Sequence, residues 1–224
     1  MKNLLENDFK IEPLFPLPLY MTKRDLDLDH TEREEIKDVI DEGMYDPKEG
    51  GYRIGYGGGN WTTHNSYIFK TKLKTIKQFC DKHIANFVRE VFNPADDLEY
   101  YITQSWLSIT NPGEWHPHHR HANSIISGVF YVDTEDTDRI TWIDPNIDQK
   151  EKGPLTEAKD VNIWNAPEWS STVENNMLLL FPSWMMHYVP INDEARSNPR
   201  MTIAFNSYAK GRFGNSNSRN ELIL

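Results

Sequence analysis

The clearest periodicity in the chain lies in residues 72–92, where Leu73, Ile76, Cys80, Ile84, Phe87, Val88 and Val91 recur at three- and four-residue steps. Such steps put side chains on one face of a helix, and Asn93-Pro94 ends the pattern because proline cannot extend a helix. Cys80 falls on the apolar stripe and reads as a packed thiol rather than a nucleophile. His83 falls off the stripe and is expected in solvent. A shorter helix is predicted over about 31–42, with Thr31 and Glu34 at capping-box spacing, Ile36, Val39 and Ile40 on one face, and Gly43 as a stop. The acidic run from Asp25 to Glu35 then reads as a solvated helix face. Residues 11–20, IEPLFPLPLY, hold three prolines among apolar positions. Proline brings no donor to a sheet ladder, so this stretch reads as an edge strand or an extended lead-in.

From residue 100 the period changes. Short β-prone runs at 100–110, 125–133, 139–143, 161–164, 177–182 and 201–208 are separated by Asn111-Pro-Gly, the polar stretch 133–138, Asp144-Pro-Asn, Gly153-Pro and Asn175-Asn176. Strands at this spacing, with polar turns and no intervening helices, predict an antiparallel sandwich or barrel. The expected architecture is mainly β with supporting α: an N-terminal helical layer packed on a C-terminal double-sheet fold. One domain is expected over 1–224, with helical support in 1–99, the β fold in 100–209 and a polar tail in 210–224. Residues 50–60, GGYRIGYGGGN, hold six glycines. No helix pattern follows them, so they read as a loop, with a lid role as one option, rather than as a phosphate cradle.

Composition narrows the function classes. The 224 residues carry 24 Lys+Arg against 34 Asp+Glu, a formal net charge of −10, which argues against bulk electrostatic binding of nucleic acid. No window holds 18 consecutive apolar residues, so no membrane-spanning helix is expected. A single cysteine excludes a disulfide framework and a Cys-rich zinc or iron–sulfur site. Together with an N-terminal stretch lacking a signal-peptide core, it suggests a reducing cytoplasm. Any metal must then be held by nitrogen and oxygen.

Four of the eight histidines lie in His116-Pro-His118-His119-Arg-His121. On an extended strand, residues two apart face the same way, so His116 pairs with His118, or His119 with His121. Two imidazoles so placed suit iron, zinc, copper or nickel, and a third ligand must come from elsewhere. His187, just beyond the apolar run Met177–Pro182, is the candidate. Arg200 opens the next strand run, where its planar fork suits a bound carboxylate.

The order His-x-His, His, Arg resembles the iron(II)- and 2-oxoglutarate-dependent oxygenases. The resemblance is closest to a prolyl-hydroxylase-like branch found in bacteria and phages. It is carried by Leu14-Phe15-Pro16, His119-Arg-His121-Ala-Asn-Ser124, Ser127-Gly-Val-Phe-Tyr131, Leu180-Phe-Pro-Ser183 followed by His187, and Arg200 with Ile203-Ala-Phe-Asn206. It implies a double-stranded β-helix (jelly roll, cupin-like). It also implies a dioxygenase or hydroxylase activity that uses Fe(II), O2 and 2-oxoglutarate as cosubstrate. In prolyl-hydroxylase-like members a glycine stands about six positions before the first metal histidine, as Gly113 does before His119. The resemblance therefore assigns the metal to His119, His121 and His187, and the far carboxylate of 2-oxoglutarate to Arg200 with Tyr131. The substrate would be a small molecule, a peptide or a protein side chain.

The usual pattern has a carboxylate where this chain has His121. Three neutral imidazoles leave bound iron(II) at +2 rather than +1, which bears on metal identity and reaction outcome. Glu114 or Asp133 could supply a carboxylate only through an unexpected register. Arg196 is a rival to Arg200 for the anchor role. His116 and His118 read as exposed or supporting groups, and Trp115 and Trp184 as packing residues with pocket lining as one option. Two further functions stay open: a non-catalytic cupin-like metal or small-molecule binding protein, and a zinc hydrolase on the same three histidines.

Overall fold

A computed structural model of the chain describes residues 11–46, 59–94, 98–147, 158–191, 197–214, 217–218 and 220–222. The glycine-rich stretch 50–58, the turn at Gly153-Pro and Arg196 lie outside them. The N-terminal part forms β1 (Tyr20–Lys23), α1 (His30–Asp41), β2 (Met44–Tyr45), β3 (Trp61–Thr63) and α2 (Lys74–Phe87). Strands follow: β4 (Leu98–Thr110), β5 (His116–His119), β6 (Ile126–Asp133), β7 (Arg139–Ile143), β8 (Glu168–Thr172), β9 (Met177–Pro182), β10 (His187–Val189), β11 (Arg200–Phe213) and β12 (Asn220–Leu222).

The strands form two antiparallel sheets. The larger has the order β1-β9-β6-β11-β4-β3-β2, with β12 on β11, and the smaller has the order β5-β10-β7-β8. This is the double-stranded β-helix, with the two helices packed on the outer face of the larger sheet. Alternation decides which residues go where. Ile126, Phe130 and Val132 of β6, Leu178 and Leu180 of β9, and Ile203 and Phe205 of β11 share one buried cluster with Ile36 and Val39 of α1 and Ile76, Cys80, Ile84 and Phe87 of α2. Tyr131, Leu179 and Phe181, one residue out of phase, join Ile140 and Trp142 of the smaller sheet in a second cluster. Burying each large apolar side chain contributes about 1.5–3 kcal/mol, so both layers help hold the sheet. Gly128 on β6 is fixed by packing: a Cβ there would sit 2.2 Å from Phe205 Cζ.

Several sequence expectations are corrected locally. Helix α1 is capped by Asp29 and Glu32, not Thr31 and Glu34. Asp29 Oδ1 accepts the Glu32 N–H at 2.8 Å, and Glu32 Oε2 accepts the Asp29 N–H at 3.0 Å. Glu32 is also buried against Arg24 at 2.7 Å, so the acidic run is not wholly a solvated face. His83 is buried rather than solvated. Strand β1 lies over α2 and brings the Tyr20 hydroxyl to 2.7 Å from His83 Nδ1, while Phe79 packs on the ring. Beyond Phe87 the helix widens into a π-helical turn, Val88–Phe92.

Residues 161–164 form no strand. Asn162 Oδ1 accepts the Trp164 N–H and Asn165 Oδ1 accepts the Asn162 N–H, both at 2.8 Å, so side chains take the hydrogen bonds that a ladder would need. The 201–208 run extends to Phe213, and Asn220–Leu222 folds back on it. No helix among the described residues is long and apolar enough to cross a membrane.

Candidate metal centre

His119 ends β5 and His187 opens β10, and the ladder pairs them directly across the strands. His121 lies just past the strand end, where its N–H donates to the Ser183 carbonyl at 2.9 Å. The ring centroids of His119 and His187 are 4.2 Å apart, those of His119 and His121 5.1 Å, and those of His121 and His187 5.3 Å. One nitrogen from each of the three lies within 4.8 Å of the others, the one such ligand group among the described residues.

The protonation pattern suits a metal. His119 Nδ1 lies 2.8 Å from the Pro117 carbonyl and His187 Nδ1 lies 2.9 Å from the Met185 carbonyl. A carbonyl can only accept, so each Nδ1 carries the proton and leaves the Nε2 lone pair for an ion. Burial holds all three imidazoles neutral: it pushes His121 down to about 3, His187 well below the usual histidine value, and His119 down as well. Aromatic rings wall the group, with Phe181 4.8 Å and Trp142 5.5 Å from the His187 ring and Trp106 5.9 Å from that of His121. Trp184 is largely exposed and Trp115 half-buried. Three neutral nitrogen donors, two of them of fixed tautomer, beside aromatic rings fit a first-row divalent ion such as iron(II).

The strand alternation expected for the histidine run does not hold. Val189 pairs with His116 and His187 with His119, so two intervening residues of β5 face one of β10. That is a β-bulge. It turns His116 and His119 to the same side, with ring centroids 4.1 Å apart and planes perpendicular. His118 is turned out, exposed, against the Tyr188 ring at 4.2 Å. Pro117 is the sequence signal for this, since proline inside a strand marks an edge or a bulge. His119 and His121 do converge, but through the strand end and the Ser183 carbonyl rather than through a shared strand face.

Arg200 opens β11 opposite Thr110 and is 5% exposed. Its Nη1 donates to the Arg139 carbonyl and its Nη2 to Thr110 Oγ1, both at 3.4 Å, the long end of the range. Tyr131 lies on the neighbouring β6 and is buried. Burial raises its hydroxyl well above the usual tyrosine value, the charge of Arg200 opposes that rise, and Asp138 adds to it. The two carboxylates that only an unexpected register could bring to the metal are engaged elsewhere. Glu114 accepts the Asn111 N–H at 2.8 Å, and Asp133 pairs with Arg33 at 2.8 Å. The sequence reading missed the Ser183 carbonyl and the Phe181 and Trp142 rings, and it left His116 as an exposed or supporting group.

Residues 104–206, from β4 into β11, match the family described as "Putative 2OG-Fe(II) oxygenase". No protein of curated function matches the chain. Among solved structures, a 2OG-Fe(II) oxygenase family oxidoreductase from Burkholderia pseudomallei superposes with a TM-score of 0.55 at 11% identity, over 84% of each chain. A prolyl-4-hydroxylase from Pseudomonas putida does so with 0.52 at 12% identity, over 85% of this chain and 92% of its own. HygX from Streptomyces hygroscopicus, solved with nickel and 2-oxoglutarate, gives 0.52 at 10% identity, over 85% and 82%. At such identities the likeness is one of fold.

Proposed function

We propose that this chain, which belongs to the 2OG-Fe(II) oxygenase superfamily, couples oxidative decarboxylation of 2-oxoglutarate to hydroxylation of a small-molecule, peptide or protein substrate. The observation that carries this reading is the convergence of His119, His121 and His187, with the Nε2 lone pairs of His119 and His187 available.

The three histidines would hold iron(II). When bound, that ion supplies the activation of O2 and the redox chemistry at the substrate carbon. The rest is the work of the chain. Arg200 gives a fixed cationic fork for the far carboxylate of 2-oxoglutarate, and burial makes its charge act at full strength. Tyr131 keeps its proton at neutral pH and can therefore donate to the same carboxylate. The Pro117 and Met185 carbonyls lock the rings of His119 and His187, and Phe181, Trp142 and Trp106 pack against the rings of His187 and His121.

The test is metal analysis of protein purified without oxygen, followed by 2-oxoglutarate titration and a succinate assay. Succinate release that needs added iron(II) and disappears in His187→Ala is expected. Stoichiometric zinc with no affinity for 2-oxoglutarate would overturn the reading and favour a zinc hydrolase or a binding protein.

A further inference from the structure

The β5 bulge brings a fourth histidine to the centre without making it part of the three-nitrogen group. His116 stacks edge to face on His119, 4.1 Å between centroids, and is half-buried. Its setting differs from that of His119 and His187, whose Nδ1 atoms are tied to backbone carbonyls. The His116 ring makes no hydrogen bond with the described residues, and neither of its nitrogens is sealed from solvent. A half-buried imidazole with no partner among the described residues keeps its N–H available to a ligand entering the site.

The charges around it say what kind. Arg200 is close enough for its charge to act on His116, as do the rings of His119, His187 and His121. His116 therefore touches one member of the three-histidine group, which becomes dicationic when metal is bound, and lies within electrostatic reach of a buried guanidinium. A species lying between those two centres is held best if it is anionic at both ends. A neutral imidazole adds an N–H donor there without adding charge.

Building on the oxygenase reading, we infer that His116 is a cosubstrate-binding residue: its ring N–H donates to the carboxylate of 2-oxoglutarate nearer the metal, while Arg200 takes the other. The chain would then bind a 2-oxo acid with six side chains of two kinds. His119, His121 and His187 face the ion; His116 and Arg200, with Tyr131, face the anion. This division explains why a bulge that costs ladder hydrogen bonds is placed in the strand carrying the ligands: a regular strand would send His116 outward.

The test uses the full chain loaded with cobalt(II), whose visible absorption reports both metal occupancy and 2-oxoglutarate binding without turnover. His116→Phe keeps a flat ring against His119 but no donor, and His116→Gln keeps a donor. Losing one charge-assisted hydrogen bond predicts 2-oxoglutarate binding about 10- to 100-fold weaker in His116→Phe, with cobalt stoichiometry unchanged and most of the affinity kept in His116→Gln. Wild-type affinity in His116→Phe would overturn the inference and leave His116 as packing. Loss of cobalt in His116→Phe would also overturn it, by making the ring a ligand or a support of His119. Failure of the cobalt-loaded wild type to bind 2-oxoglutarate at all would sink the oxygenase reading itself.

Discussion

The two faces of the larger sheet come from the same strands and do opposite work. Along β11, Ile203 and Phe205 enter the helix-facing cluster and are fully buried among apolar side chains. Arg200, Thr202 and Asn206, one residue out of step, are nearly as buried but polar. The helix-facing side is stabilised by area and shape, so its residues are exchangeable in kind though not in volume. The inner side is held by specific partners. Ser127 Oγ lies 2.8 Å from both Ser183 Oγ and Asn206 Oδ1, and Asn206 Nδ2 donates to Gln104 Oε1 at 2.9 Å. Ser183 belongs to this polar chain, and its carbonyl also holds His121. A half-satisfied network of this kind would cost more than an apolar core. The contrast shows how a sheet whose alternation is set by burial can seat polar and site residues among the apolar ones of its inner face while the helix-facing set stays apolar.

The contrast can be broken or sharpened by substitution. His187→Ala should abolish metal binding and lower succinate formation by about a thousandfold or more. Its metal-free melting should change little, whereas chelation should lower the melting temperature of the wild type alone. A collapse of metal-free stability would show that the two faces are not separable. Phe130→Ala on the helix-facing side should cost about 3–5 kcal/mol in urea unfolding, with metal stoichiometry per folded chain unchanged. Arg200→Met should weaken 2-oxoglutarate binding by about 30- to 100-fold and leave metal affinity nearly intact, measured by titration of cobalt-loaded protein. Tyr131→Phe, which removes one neutral donor, should weaken it by only about 5-fold. Asp29→Ala, far from either face of the site, should cost about 1 kcal/mol of stability and nothing in cosubstrate affinity.

Much of this organisation was legible in the chain. The three- and four-residue spacing of Ile76, Cys80, Ile84 and Phe87 gave α2, and the runs at 139–143 and 177–182 became β7 and β9 without a change of boundary. The set His119, His121, His187 was reached from spacing joined to a family resemblance, and the fold brings those three together. What failed were judgements of direction. His83 was placed in solvent because only its own helix was considered, whereas β1 covers that face. The cap moved from Thr31 to Asp29 because two pairs had capping-box spacing and the chain's entry from β1 chose between them. Residues 161–164 have β-prone side chains, but Asn162 within the run and Asn165 beside it offer closer hydrogen bonds.

Sequence by itself determined which residues are apolar at which period, and so the two helices, most of the strands and the histidine-arginine inventory. Burial acts on each residue type in the same way wherever the chain puts it. Only the tertiary structure decided where the side chains of β5 point. The bulge at Pro117-His118 arises from pairing with β10, a segment about seventy residues away in the chain. That pairing sends His118 outward and His116 inward. It is a property of the hydrogen-bond register between two strands, and no local period in either one encodes it.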